Sequence, residues 1–186
     1  MITDKKTLQE YLAYEKTFYL SEKIFHVFRQ WIMRSPNYLI WHYQKILRIC
    51  EYHYNVGHRI RYAYFRRRKN IEGARLGIYI NHNSFEKGLH IYHYGSIIVH
   101  ENARIGQNCS LHGENCIGNK GIGAPTQAPV IGDFCDIGIG AKILGEISLG
   151  DHVTIGANAV VTKSFPQNHI CVAGVPAHIL SASPED

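Results

Sequence analysis

The sequence predicts a mainly β chain, a parallel β-helix wound in six-residue steps and preceded by a short α-helical region. Three observations carry this. From Ile131 the segments IGDFCD, IGIGAK, ILGEIS, LGDHVT, IGANAV and VTKSFP follow one another without a gap, so aliphatic residues fall at 131, 137, 143, 149, 155 and 161. Glycine is concentrated beyond residue 70, whereas nine of the twelve tyrosines lie before it. Charge divides at the same place: residues 1–70 hold 14 Lys and Arg against 5 acids, plus 9, and residues 71–186 hold 6 against 10, minus 4, giving the net plus 5. The boundary falls near the basic run Arg66, Arg67, Arg68, Lys69, dividing the 186 residues into a basic, aromatic-rich helical region, 1–70, and a coil with its C-terminal tail, 71–186. A chain of this length is ordinarily one domain with a small appendage and buries a real core.

In the first region Thr3 and Ser21 are candidate N-caps, and Ile24, Phe25, Phe28, Trp31 and Ile32 recur at helical spacing. Pro36 interrupts, and a longer helical segment from about Tyr38 to Phe65 is broken or ended at Gly57. The basic aromatic stretch HRIRYAYFRRRK suits an anionic partner such as a membrane surface, nucleic acid or an acidic polymer. The favoured reading is plainer, a solvated face on helices packed against the coil or a neighbouring subunit. No nucleic-acid motif accompanies the stretch.

In the second region the six-residue period extends upstream to Ile105, Leu111 and Ile117. Four residues beyond these positions stand small or apolar side chains, as in Cys109, Cys135, Ala141, Val153 and Ala159. A period of six is neither the 3.6 of a helix nor the alternation of a meander; short strands wound around an aliphatic stack produce it. The fourteen residues from Ile117 to Ile131, read as two steps of six, leave two extra residues and a loop within NKGIGAPTQAP. Loops thrown from a rigid scaffold are where binding surfaces form.

No run reaches the roughly 18 apolar residues of a membrane helix, and acids stand where a signal peptide would be apolar, so a cytoplasmic location is expected. Five cysteines without paired CxxC spacing read as reduced and mostly structural.

The motifs GLHIYHYGSIIV, the steps from Ala103 to Gly118, AP at 128–129, IGANAVVTKSFP and AGVPAHIL resemble the left-handed β-helix acyltransferases with hexapeptide repeats. Within them the chain is similar to the serine acetyltransferase branch and its relatives in capsule and exopolysaccharide clusters, over about Gly77 to Leu180. The resemblance implies acetyl transfer from acetyl-coenzyme A, with no metal, to a hydroxyl. It also implies a homotrimer or dimer of trimers with sites between neighbouring coils.

By the same resemblance the general base is His93, before Tyr94-Gly95-Ser96 and an aliphatic run. An imidazole with pKa near 6.5 suits removal of a hydroxyl proton. Counting back by six from Ile105 passes Val99 and lands on His93, which would turn it into the stack, although the run 97–99 leaves the register open by one or two residues. His112, about one coil turn on, is the second catalytic candidate, Glu101 a supporting one, and His90 and His100 read as surface residues. A backbone N–H, in the loop after Gly118, is the expected oxyanion donor. For coenzyme A the matching positions are Gly138, Ile139, Ala157, Thr162, Lys163 and His178, the last standing where relatives often carry Arg.

Serine acetyltransferases have an Asp before the base and another on the preceding coil, where this chain has Tyr92 and Tyr79, and a second His where it has Ala128. Aromatic Tyr79, Tyr92 and Tyr94 suit a sugar ring, so the expected reaction is acetylation of a sugar hydroxyl in capsular or exopolysaccharide biosynthesis, with serine O-acetylation the alternative. Two further readings are a zinc-dependent γ-type carbonic anhydrase, using His93, His112 and a third histidine, and a non-catalytic trimeric scaffold. The Lys163 and AGVPAH segments fit coenzyme A and serve no purpose in a zinc lyase.

Overall fold

The computed structural model describes residues 1–121 and 126–182. Four helices come first: α1 (Lys5–Lys16), α2 (Ile24–Ile32), α3 (Pro36–Asn55) and α4 (Arg59–Leu76). Asp4, rather than Thr3, caps α1, its carboxylate accepting from the N–H groups of Lys6 and Thr7 at 2.8 and 2.9 Å. Ser35 caps α3 ahead of Pro36, whose missing N–H costs nothing at a helix start. Gly57, at φ +74°, separates α3 from α4. The basic stretch lies on α4, which runs past residue 70 to Leu76.

Among the described residues fourteen strands follow. The coil is built by β1 (Ile78–Tyr79), β2 (His90–Ile91), β3 (Ile97–Val99), β4 (Arg104–Ile105), β5 (Ser110–Leu111), β6 (Cys116–Gly118) and β7 (Val130–Ile131). It continues through β8 (Asp136–Ile137), β9 (Lys142–Leu144), β10 (Ser148–Leu149), β11 (Thr154–Ile155), β12 (Val160–Val161), β13 (Ile170–Gly174) and β14 (Ala177–Ala182). They form three parallel sheets, ordered β1-β3-β6-β9-β12, β4-β7-β10 and β2-β5-β8-β11-β13, with β14 antiparallel on β13. This is a parallel β-helix of triangular section. Every aliphatic position of the six-residue pattern from Ile105 to Val161 is buried, as are Cys109, Cys135, Ala141, Val153 and Ala159.

The loop is longer than the sequence suggested. Ile117 pairs with Ile143 and Ile105 with Ile131, so Ile117 and Ile131 are consecutive positions around the coil. Their spacing of fourteen against a step of six inserts eight residues, not two. Periodicity cannot tell one long step from two ordinary ones, because both return to the stack.

The helices finish what the coil leaves open. The first turn of a β-helix has no strand beyond it, and its backbone groups need partners. Tyr19 Oη accepts from Ile91 N–H at 2.7 Å, Gln44 Nε2 donates to Leu89 O at 2.8 Å, and Lys69 Nζ donates to Ile80 O at 2.7 Å. Fully buried Arg48 donates to Phe85 O and Glu86 O at 2.9 and 2.7 Å while paired with Glu15 and Glu51 at 2.7 and 2.8 Å. Those carboxylates in turn accept from Gly88 N–H and Asn83 N–H. Helices and coil share one hydrophobic core, from Tyr19 to Ala177.

Candidate active site

Between the sheet holding β2, β5, β8 and β11 and the sheet holding β3, β6, β9 and β12, the chain turns at residues 92–96, 112–115, 138–141 and 156–159. These turns stack into one edge of the coil, and His93 stands exposed on it. The aliphatic positions explain why. Ile91 pairs with Leu111 and Val99 with Ile117, so the step from 91 to 99 is eight residues where 111 to 117 is six. The two extra residues make an outward corner, and His93 does not enter the stack.

Gly113 lies directly against His93 on the next turn. At φ +111° it takes a conformation that side chains rarely adopt, and an added Cβ would lie 3.3 Å from His93 O. The same edge continues through Gly138, exposed Ile139 and exposed Ala157 to Gly174, where a Cβ would meet the His178 imidazole at 3.0 Å. One edge therefore gathers His93, Gly138, Ile139, Ala157 and His178. Among the described residues, the N–H groups of Ile139 and Ala157 donate to no protein acceptor, so an extended ligand carrying amides finds donors on this edge.

His112 falls in register with Tyr92 rather than His93, because the turn here spans twenty residues. Its ring stacks on Tyr92 with centroids 4.3 Å apart, and its Nε2 meets Asp136 Oδ1 at 2.8 Å. An ionised Asp136 holds the proton on Nε2 and leaves Nδ1 free to accept one. Sequence reasoning missed Asp136. It aligns with Ser110 across a 26-residue turn, and that register is invisible until the eight-residue insertion is known.

His90 is half-buried rather than a surface residue: it stacks on Phe18 at 4.8 Å and packs against Tyr92 at 4.1 Å, and burial lowers its imidazole pKa. Tyr94 is exposed in the corner beside His93. Exposed Tyr79, on β1, lies beside Ile98 in an open groove of about 400 Å³ that reaches Cys116, Gly118 and Glu101.

The structure does not bring every expected residue to the His93 edge. Glu101 sits at the far end of β3 from His93, and Thr162 and Lys163 follow β12 at that same second edge. There Thr162 O accepts from Lys120 Nζ at 3.2 Å, and Lys163 Nζ lies 5.3 Å from the Phe165 ring centre. The expected oxyanion loop after Gly118 lies partly outside the described residues, at 122–125. Among the described residues no three His, Cys, Asp or Glu side chains converge as metal ligands.

Within the coil, residues 128–163 match the family model described as bacterial transferase hexapeptide (six repeats). Similar proteins include serine acetyltransferases. The chain is 36% identical to that of Mycobacterium tuberculosis over 93 residues, 50% of this chain and 40% of the relative. It is 37% identical to that of Staphylococcus aureus strain N315 over 108 residues, 58% of this chain and 46% of the relative. The chain thus spans under half the length of these relatives. The Brucella abortus serine acetyltransferase, solved in complex with coenzyme A, superposes with TM-score 0.77 at 26% identity, covering 97% of this chain and 70% of that one. The Neisseria gonorrhoeae enzyme shares the fold, with TM-score 0.77 at 24% identity over 98% and 69%. The fold is therefore the expected left-handed parallel β-helix.

These comparisons overturn the sugar reading. The relatives in these comparisons are named for serine, which supports the alternative, serine O-acetylation, and not a sugar acceptor. The tyrosines had suggested a sugar platform because type and position were all the sequence offered. In the fold Tyr92 is engaged by His112 and His90, a packing role that residue type does not disclose.

Proposed function

We propose that this protein is an acetyl-coenzyme A-dependent O-acetyltransferase whose acceptor is the hydroxyl of serine. The observation carrying the proposal is the single edge that lines up His93, Gly138, Ile139, Ala157 and His178, in a chain whose relatives are serine acetyltransferases. Acetyl-coenzyme A lies along that edge, its pantetheine amides on backbone groups near Ile139 and Ala157. His93 takes the serine hydroxyl proton as the oxygen attacks the thioester carbonyl. A backbone N–H faces the oxyanion, and collapse of the tetrahedral intermediate expels the coenzyme A thiolate, which recovers the proton from the imidazolium. The products are O-acetylserine and coenzyme A.

His112 and Asp136 occupy the neighbouring layers. With Tyr92 and Ala128 where serine acetyltransferases carry Asp and His, Asp136, held by His112, is the carboxylate this reading assigns to the serine ammonium group. Glu101, Thr162 and Lys163 lie across a sheet from the His93 edge, which favours a trimer in which the second edge of one coil completes the first edge of its neighbour.

The test is coenzyme A thiol release with L-serine as acceptor. Serine-dependent release is expected, falling about 10²- to 10⁴-fold in His93→Ala. In Asp136→Asn the KM for serine should rise more than kcat falls. Absence of serine-dependent release would refute the acceptor, and activity surviving His93→Ala would transfer the base role to His112.

A further inference from the structure

Among the described residues, helix α2 turns its large apolar side chains away from the protein. None of its nine residues is buried, and Ile24, Phe25, Phe28, Trp31 and Ile32 are 87, 72, 52, 53 and 56% exposed, followed by Met33 at 72%. At spacings of one, four, seven and eight from Ile24 they share one helical face. The helix is held by its other side, where Val27 packs on the core and Gln30 Nε2 donates to Tyr19 O. A folded protein seldom leaves so many large apolar side chains together in water without a use for them.

The surroundings identify what covers this face. Trp31 lines a cleft with Arg34 and Arg75, and Lys45 and Arg68 lie close enough to influence His42 in the same cleft. Glu72, paired with Arg75 at 3.1 Å, is the acid among them. Residues 1–70 carry plus 9 in all. A second copy of this face would bring like charges together, and an acidic polymer would have no use for five apolar side chains. A surface that takes apolar side chains below a layer of negative charge meets both requirements.

We propose that α2 docks this protein on anionic lipid surfaces, inserting Phe25, Phe28 and Trp31 at the headgroup boundary while Arg34, Arg68 and Arg75 meet the phosphates. The inference is independent of the acceptor, since it uses no residue of the His93 edge.

The full-length chain is mixed with vesicles of phosphatidylcholine, with or without about one third phosphatidylglycerol, and followed by co-sedimentation and tryptophan emission. The second tryptophan, Trp41, is buried, so an emission shift reports Trp31. Binding is expected only to the anionic vesicles, with a blue shift, and should weaken severalfold as salt rises above about 0.5 M. Phe25→Ser combined with Phe28→Ser should abolish it while leaving the melting temperature and coenzyme A release unchanged. No sedimentation with anionic vesicles, or equal sedimentation with both kinds, overturns the proposal. So does a drop in the mass of the vesicle-free protein in the double variant, which would show that another copy covers the face.

Discussion

The coil and the helical region solve the same problem by opposite means. Along the coil each turn is roofed by the next, strand on strand, so its interior needs only aliphatic residues of the right size at every sixth position, and Ile137 and Ile143 have no polar work to do. The first turn has no turn before it, and here the protein uses buried charge. Arg48, Glu15 and Glu51 together satisfy the backbone of Phe85, Glu86, Gly88 and Asn83. Repetition closes a coil everywhere except at its ends, and an end needs partners that repetition cannot supply.

The largest effect should come from breaking that cap. Arg48→Ala leaves two buried carboxylates and two backbone carbonyls without their donor, and should cost about 3–5 kcal/mol. Chemical denaturation measures this. Replacing Arg48, Glu15 and Glu51 together with apolar residues often restores stability where an ion triad serves only itself. Here it should not, because the backbone groups of residues 83–88 would remain unpaired; recovery to the wild-type midpoint would show that the cap is dispensable.

This contrast governs what the sequence disclosed. The stack was legible from Ile105 to Val161 because a six-residue period is a direct projection of the fold onto the chain. The family motif singled out His93 as a candidate, and the count by six pointed it inward, whereas the two-residue corner turns it outward. Asp136 was hidden because the insertion after Gly118 erases the register between His112 and its partner. The Arg48 cluster was hidden as well: it unites residues from α1, α3 and the coil's first turn, and no local pattern marks an arginine as buried. The boundary near residue 70 tracked composition, whereas α4 runs on to Leu76 and ends at Gly77, whose backbone approaches Ser96 N so closely that an added Cβ would lie 2.9 Å away.

A somewhat smaller loss is expected inside the coil. Ile137→Ala removes a fully buried side chain that aligns with Leu111 on one neighbouring strand and Ile155 on the other, and should cost about 2–4 kcal/mol, partly as the cavity left behind. The sharper readout is where the loss is felt. Hydrogen exchange in Ile137→Ala should rise in β5, β8 and β11 while the amides of Ile91 and Gly88, held by the helices, keep their protection. Exchange rising equally throughout would mean that cap and coil unfold as one unit.

The smallest effect concerns pH and falls at the seam. Burial lowers the imidazole pKa of His42, His82 and His90 below 6.5. His82 lies between Tyr54 and Tyr62, His90 between Phe18 and Tyr92, and His42 lines the cleft with α4. A group with a depressed folded pKa stays neutral when its unfolded counterpart takes a proton, so its contribution is complete above about pH 6.5 and drains away as pH falls below that value. Glu51, its carboxyl pKa raised by burial, acts in the opposite sense and offsets part of the loss. The melting temperature should therefore drop by roughly 2–4 °C between pH 7.5 and 5.5, with exchange rising first at the backbone amides that the helices cap. A flat profile would mean that the three imidazoles keep water enough to titrate as they do in the unfolded chain. Acid would then leave the cap as secure as the coil, and the difference between the two regions would lie in the buried charges alone.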